Sequence, residues 1–148
     1  METLREQDRT GRSRSEAERD DAPRRRRDPR TEAGRALATV QSAVFVATGL
    51  WPVVHMASFE AVTGRKRERW LVQTMGVLIA SVGAALAIGA RRGVRSETVA
   101  LGVGSAAALG ACDIVFVARR RISPVYLVDA VMEATFVVAW LVMRRLAR

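Results

Sequence analysis

The chain has 148 residues, a hydrophobic content of 49% and a formal net charge of +9. Charged and apolar residues are segregated, since residues 1–35 hold 11 of the 24 basic and 9 of the 15 acidic residues and the remainder is dominated by four apolar blocks. A soluble domain of this length has too little polar surface to cover four helices that are apolar all round. We therefore exclude a soluble globular protein and expect an all-α integral membrane protein.

Residues 1–35 form an Arg-rich tail with one Leu and no aromatic or β-branched apolar residue. Such a segment cannot bury enough apolar surface to offset the entropy of ordering, so we expect a disordered cytoplasmic tail. The tail is nearly neutral, and nucleic-acid affinity follows the number of neutralised phosphates, so no nucleic-acid partner is expected. The arginines at 24–27 are interpreted as an orientation signal beside a span, with an anchor to anionic headgroups as the alternative.

Four predicted spans make up a membrane domain at residues 36–148. They cover residues 36–59, 70–90, 98–118 and 122–143, and each has 21 to 24 residues. That length crosses roughly 30 Å of hydrocarbon at about 1.5 Å per residue. The connections are short, so sequential helices should run antiparallel as neighbours. The sequence predicts an up-down four-helix bundle.

Small residues and one proline give further expectations about helix contacts. Two series recur every four residues, which favours close approach of helices within this bundle or in a homodimer. The series are Gly76, Ala80 and Ala84 in the second span, and Gly102, Ala106 and Gly110 in the third. Pro52 lacks a backbone donor, and we expect it to kink the first helix near His55.

The orientation follows from the distribution of Lys and Arg. One side of the membrane receives 17 of these residues and the other receives 7. By the positive-inside rule both termini are cytoplasmic, in a protein of the inner membrane. The expected partners are the lipid bilayer and either a second copy of the chain or another membrane protein.

Polar residues concentrate near the non-cytoplasmic end of the predicted spans. Charged residues within a span are costly and usually face the bundle interior. Counting from the span ends at about 1.5 Å per residue places these groups in one layer below that surface, with Glu133 one turn deeper. The candidate pocket residues are His55, Glu60, Gln73, Asp113, Tyr126, Asp129 and Glu133.

The sequence leaves several interpretations of this layer open: an interhelical hydrogen-bond clamp, a ligand pocket, a proton relay or a site for a cationic group. Metal binding is another alternative, with His55, Asp113 and Asp129 as ligands, but their spacing matches no metal signature, so we predict no metal and no cofactor. No nucleophile with its base is visible, and no catalytic residue is assigned. We expect a non-enzymatic bundle with a polar pocket, or a membrane subunit that binds a partner. The alternative is an intramembrane enzyme or proton-coupled transporter that uses the His/Asp/Glu cluster.

Two strings carry a resemblance to known proteins. SFEAVTGRKRERWLVQTMG and RRISPVYLVDAVMEA resemble segments of a group of small four-span bacterial membrane proteins of uncharacterised function. The likeness covers residues 45–143 and implies a membrane location and a four-helix fold. It implies no activity or catalytic residue. The architecture also resembles that of DoxX-like small bundles.

Overall fold

The computed structural model describes the backbone of residues 29–146 and the side chains of residues 31–145. Within this range the chain is helical, without strands. The helices are α1 (Pro29–Val54), α2 (Met56–Thr63), α3 (Arg69–Arg92), α4 (Ser96–Ala118) and α5 (Tyr126–Leu146). Helices α1, α3, α4 and α5 are long and apolar enough to cross a membrane. The predicted all-α class is confirmed, and the chain is a multi-pass membrane protein.

Large apolar side chains cover the outside of the bundle. Val54, Val128 and Val131 are 80%, 72% and 68% exposed, and many other Val, Leu and Ile residues share this environment. Such a surface would be unfavourable in water but suits contact with hydrocarbon.

The helix boundaries differ from the predicted spans in two places, both in the N-terminal half of the chain. Helix α1 begins at Pro29, so residues 29–35 are helical although we expected them in the disordered tail, whose other residues lie outside the described range. Proline is favoured in the first turn, where its missing N–H is not needed. The predicted first span is divided at His55 (φ −145°, ψ 74°). Pro52 lies three residues before this break and removes one backbone donor from the last turn of α1.

The bundle consists of two tightly packed helix pairs. Helix α1 packs mainly on α3, and α4 packs mainly on α5. Backbones approach closely in the first pair, since a Cβ at Gly76 would collide with the Gly49 carbonyl oxygen and one at Gly83 would lie 2.9 Å from the Ser42 carbonyl oxygen. The small-residue prediction therefore needs one correction: Gly83 and not the exposed Ala84 continues the contact face, because the helix repeats every 3.6 residues and not every four.

The bundle has a terminal end, where α1 begins and α5 ends, and an opposite end with different connections. At the terminal end, a Cβ at Gly34 would lie 3.2 Å from Met143 Cε and 3.6 Å from Val94 Cγ2. The start of α1, the α3–α4 connection and the end of α5 therefore meet there. The opposite, loop end carries the connections at residues 64–68 and 119–125. The apolar core cluster of Ala38, Ala90, Val99 and Trp140, against which Val94 and Met143 pack, lies toward the terminal end.

Candidate functional site

Three carboxyl groups converge between α4 and α5. Asp113 comes from α4, and Asp129 and Glu133 come from successive turns of α5. The Asp113 and Asp129 carboxyls lie within hydrogen-bonding range of each other, and Glu133 interacts electrostatically with both. We call Asp113, Asp129 and Glu133 the carboxyl trio.

Two oxygens of the carboxyl trio are buried and unpartnered. Asp113 Oδ2 and Glu133 Oε2 have no hydrogen-bond partner within residues 31–145, and Glu133 is only 2% exposed. Glu133 reaches this position because α4 has no side chain at Gly110, where a Cβ would lie 3.2 Å from Glu133 Cβ. Buried acceptors normally have a donor, and no described side chain supplies one to these two oxygens.

Two neighbouring cavities lie in the loop half of the bundle. The small cavity, of about 210 Å³, is formed by α1, α2 and α5. The large cavity, of about 450 Å³, lies against α1 and α3 and extends to the end of α4. Both are lined mostly by apolar side chains. The two linings share Thr48, Phe59, Tyr126 and Asp129.

Lys66 lies over the aromatic residues that both cavities share. Its Nζ is 4.9 Å from the Tyr126 ring centroid and 5.8 Å from that of Phe59, and it donates to the Thr63 carbonyl oxygen at 3.1 Å. These distances fit cation–π contacts. Lys66 was not among the predicted site residues, because its sequence position indicates only a basic loop.

His55 lies apart from the layer in which the sequence placed it. Its Nδ1 accepts the Ser58 backbone N–H at 3.1 Å, so it caps α2. The side chain is exposed and lines neither cavity. Depth counting placed His55 with the carboxyl trio because it assumed a continuous first helix, whereas the helix ends at Val54 and His55 takes the cap position.

Glu60 is bound to the start of α3. Arg69 donates from Nε to Glu60 Oε1 at 3.0 Å and from Nη2 to Oε2 at 2.6 Å, and the Lys66 backbone N–H also donates to Oε1 at 3.0 Å. The Arg69 hydrogen bonds, followed by that of Lys66, hold the pKa of Glu60 below its ordinary value. This carboxylate is buried, and it ties α2 to α3 without lining either cavity. Gln73 is half-buried and also lies outside both linings.

The carboxyl groups are not arranged as a metal site. Across the described part of the chain, no group of three His, Cys, Asp or Glu residues could hold a metal ion. This includes the predicted alternative set of His55, Asp113 and Asp129.

A second polar cluster lies in the terminal half of the bundle. Its residues were not predicted to interact with one another. Gln41 Nε2 donates to the Gly102 carbonyl oxygen at 2.9 Å, and Trp140 Nε1 donates to Gln41 Oε1 at 2.8 Å. Gln41 and Trp140 are both fully buried. A signal was present in the sequence, since a Trp within a span usually finds an acceptor for its N–H when buried.

No protein family, curated protein or solved structure matches this chain when it is compared with known proteins. Its sequence and structure identify it as an all-helical, multi-pass membrane protein.

Proposed function

We propose that this protein is a non-enzymatic membrane bundle with a pocket at its loop end, and that the small cavity binds a ligand with an apolar body and a hydrogen-bond donor. The observation that carries this proposal is the position of Asp129. Its side chain lines the cavity and belongs to the carboxyl trio, in which two buried oxygens of the other members have no described partner.

The size and chemistry of the small cavity define the ligand class. An engineered apolar cavity of about 150 Å³ binds benzene, so a cavity of about 210 Å³ suits a six-membered ring with one polar group. Carboxylates accept hydrogen bonds and attract cations. A primary ammonium or hydroxyl group therefore complements the carboxyl trio, whereas a carbonyl group does not.

Three ring compounds of similar size test this proposal. Cyclohexylammonium and cyclohexanol carry donors, whereas cyclohexanone carries only an acceptor. The two donors should raise the thermal midpoint of the protein in lipid nanodiscs, and cyclohexanone should not. Asp129→Asn should remove the response to cyclohexylammonium, while Glu97→Gln, an exposed acid in the first turn of α4, should retain it.

The competing interpretation is a purely structural clamp between α4 and α5. In that case Asp113→Asn and Asp129→Asn would lower the thermal midpoint, and neither donor would bind better than cyclohexanone. That combination of results would refute the ligand-pocket proposal.

A proton-coupled transporter is the alternative function. It is favoured by the convergence of three carboxyl groups within the membrane-spanning helices α4 and α5. In proteoliposomes with a pH gradient, a transporter would carry cyclohexylammonium inward faster than protein-free liposomes, and Asp129→Asn would abolish the difference. Equal rates in all three preparations would support a binding role without transport.

Association with a second copy is a further candidate role. Gly104 is exposed on α4, and a Cβ at this position would meet no described atom within 4 Å. The exposed Ala100 and Ala108 lie one turn to either side, and small residues at this spacing let helices approach closely in lipid. Cross-linking in native membranes tests this role: Gly104→Leu should reduce a dimer, while the same change at exposed Val138 should not.

We also propose that the protein lies in a bacterial inner membrane with both termini in the cytoplasm. The excess of Lys and Arg on the terminal side supports this orientation. In a Cys112→Ala background, Arg67→Cys at the loop end should react with an impermeant thiol reagent added outside the cell. Arg92→Cys at the terminal end should react only after permeabilisation, and the opposite pattern would reverse the orientation.

A further inference from the structure

A strongly basic cavity lies at the loop end of the bundle. It has a volume of about 590 Å³ and is formed by the two connections at this end. We call it the basic cavity. Its cationic lining residues are Arg65, Lys66, Arg67, Arg120 and Arg121.

The acidic residues near the basic cavity do little to neutralise it. Glu68 is the acidic member of the lining, against five cationic members. Glu60 is bound by Arg69. Arg120 and Arg121 make no ion pair with a described residue. An anion is therefore the complementary occupant.

The backbone at Arg120 provides a second observation. Its φ is +54°, and its N–H donates to the Val117 carbonyl oxygen while the Arg121 N–H donates to that of Phe116. These two bonds form a Schellman motif, whose left-handed position is most often glycine. An arginine here is conformationally unfavourable, and such a residue motivates a search for function.

The basic cavity adjoins the large apolar cavity. Leu71, Val72 and Ile122 line both of them. The large cavity extends along α3 from Leu71 to Ile79, a distance of about 12 Å at the helical rise of 1.5 Å per residue. A molecule that fills both cavities has an anionic head and an apolar tail.

We propose that the basic cavity and the large cavity together bind one anionic phospholipid. The guanidinium groups of Arg120 and Arg121 bind the phosphate, for which arginine is well suited, and an acyl chain occupies the large cavity. This inference goes beyond the proposed ligand of the small cavity, and each can fail without the other.

Native mass spectrometry of the full chain in detergent tests the lipid site. Phosphatidylglycerol should be retained in preference to phosphatidylcholine with the same acyl chains. Arg120→Gln with Arg121→Gln should weaken phosphatidylglycerol binding about thirtyfold, from the loss of two cationic contacts. Arg144→Gln with Arg145→Gln removes the same charge at the terminal end and should leave the binding unchanged.

A second pair of variants tests the acyl chain. Val72→Trp should block the junction of the two cavities and weaken phosphatidylglycerol binding. Val77→Trp, at a position 49% exposed on the same helix, should not. Inorganic phosphate should compete poorly, since it lacks an acyl chain.

Three results would overturn the proposal. Equal effects of the two arginine pairs would mean that net charge alone attracts the lipid. Equal retention of the two phospholipids would remove the phosphate as the recognised group. Efficient competition by inorganic phosphate, together with normal binding by Val72→Trp, would indicate a site for free anions and not for a lipid.

Discussion

Replacement of Gln41 by Leu tests the buried network of the terminal half. The substitution keeps the size of the side chain but removes the acceptor of the Trp140 N–H and the donor to the Gly102 carbonyl oxygen. The Gly102 carbonyl oxygen keeps its helical partner and a bond from the Ser105 hydroxyl at 3.3 Å. The Trp140 N–H, in a side chain that is fully buried, has no such substitute.

The magnitude follows from this asymmetry. An unsatisfied buried donor costs about 1–3 kcal/mol, and the second bond to Gly102 adds little. We therefore expect Gln41→Leu to lower the free energy of unfolding by about 2 kcal/mol. Ser81→Ala is the control, because the Ser81 hydroxyl is exposed and bonds only to Val77 of its own helix; its effect should be small.

A double-mutant cycle with Trp140→Phe isolates the hydrogen bond from the effects of side-chain volume. Interhelical hydrogen bonds in membrane proteins average about 0.6 kcal/mol and reach about 1.7 kcal/mol. Because this bond is fully buried, we expect a coupling energy of about 1 kcal/mol, near the middle of that range. Equilibrium unfolding in mixed micelles measures it, and a coupling energy within error of zero would refute the reasoning.

Three further predictions concern the loop end and the helix contacts. The Arg69 contact lowers the pKa of Glu60 in the folded protein. The contribution of this contact to stability should therefore be complete above the ordinary pKa of 4.5 and lost as pH falls through the lower folded-state value. Thermal unfolding across pH should show this loss in the wild type but not in Glu60→Gln. Gly76→Ala should destabilise the protein by about 3 kcal/mol through overpacking against α1, whereas Gly104→Ala should stabilise it by up to about 1 kcal/mol in the same unfolding assay. Arg120→Gly should raise the thermal midpoint by a few degrees, equivalent to about 1 kcal/mol, while reducing phosphatidylglycerol retention; a lower midpoint would contradict the backbone argument.

Much of the fold was predictable from the sequence because the dominant signals are one-dimensional. A run of about 20 apolar residues specifies a span without knowledge of its neighbours. The depth of a residue in the membrane can also be counted from its position along a straight helix, at about 1.5 Å per residue. This explains why counting placed Asp113 and Asp129 at one level, where the structure brings their carboxyl groups together.

The side of a helix on which a residue lies, and the position of a break in a helix, could not be predicted in the same way. His55 was assigned to the pocket by depth alone, and a single break at that residue turned it into a cap for α2. Glu60 was likewise grouped with the carboxyl trio, although the short α2 places it against Arg69. Such pairings depend on the geometry of a connection, which composition and periodicity do not encode.

The two halves of the bundle satisfy their buried polar groups differently. In the terminal half, the amide of Gln41 both donates and accepts across helix boundaries. That cluster illustrates how a structural clamp can satisfy its groups with side chains from the bundle itself. In the loop half, Asp113 Oδ2 and Glu133 Oε2 have no partner among the described side chains, although an unsatisfied polar group is more costly in an apolar interior than in water. The ligand-pocket proposal accounts for this difference by a ligand that supplies the missing donor, and the comparison of cyclohexylammonium with cyclohexanone tests that account.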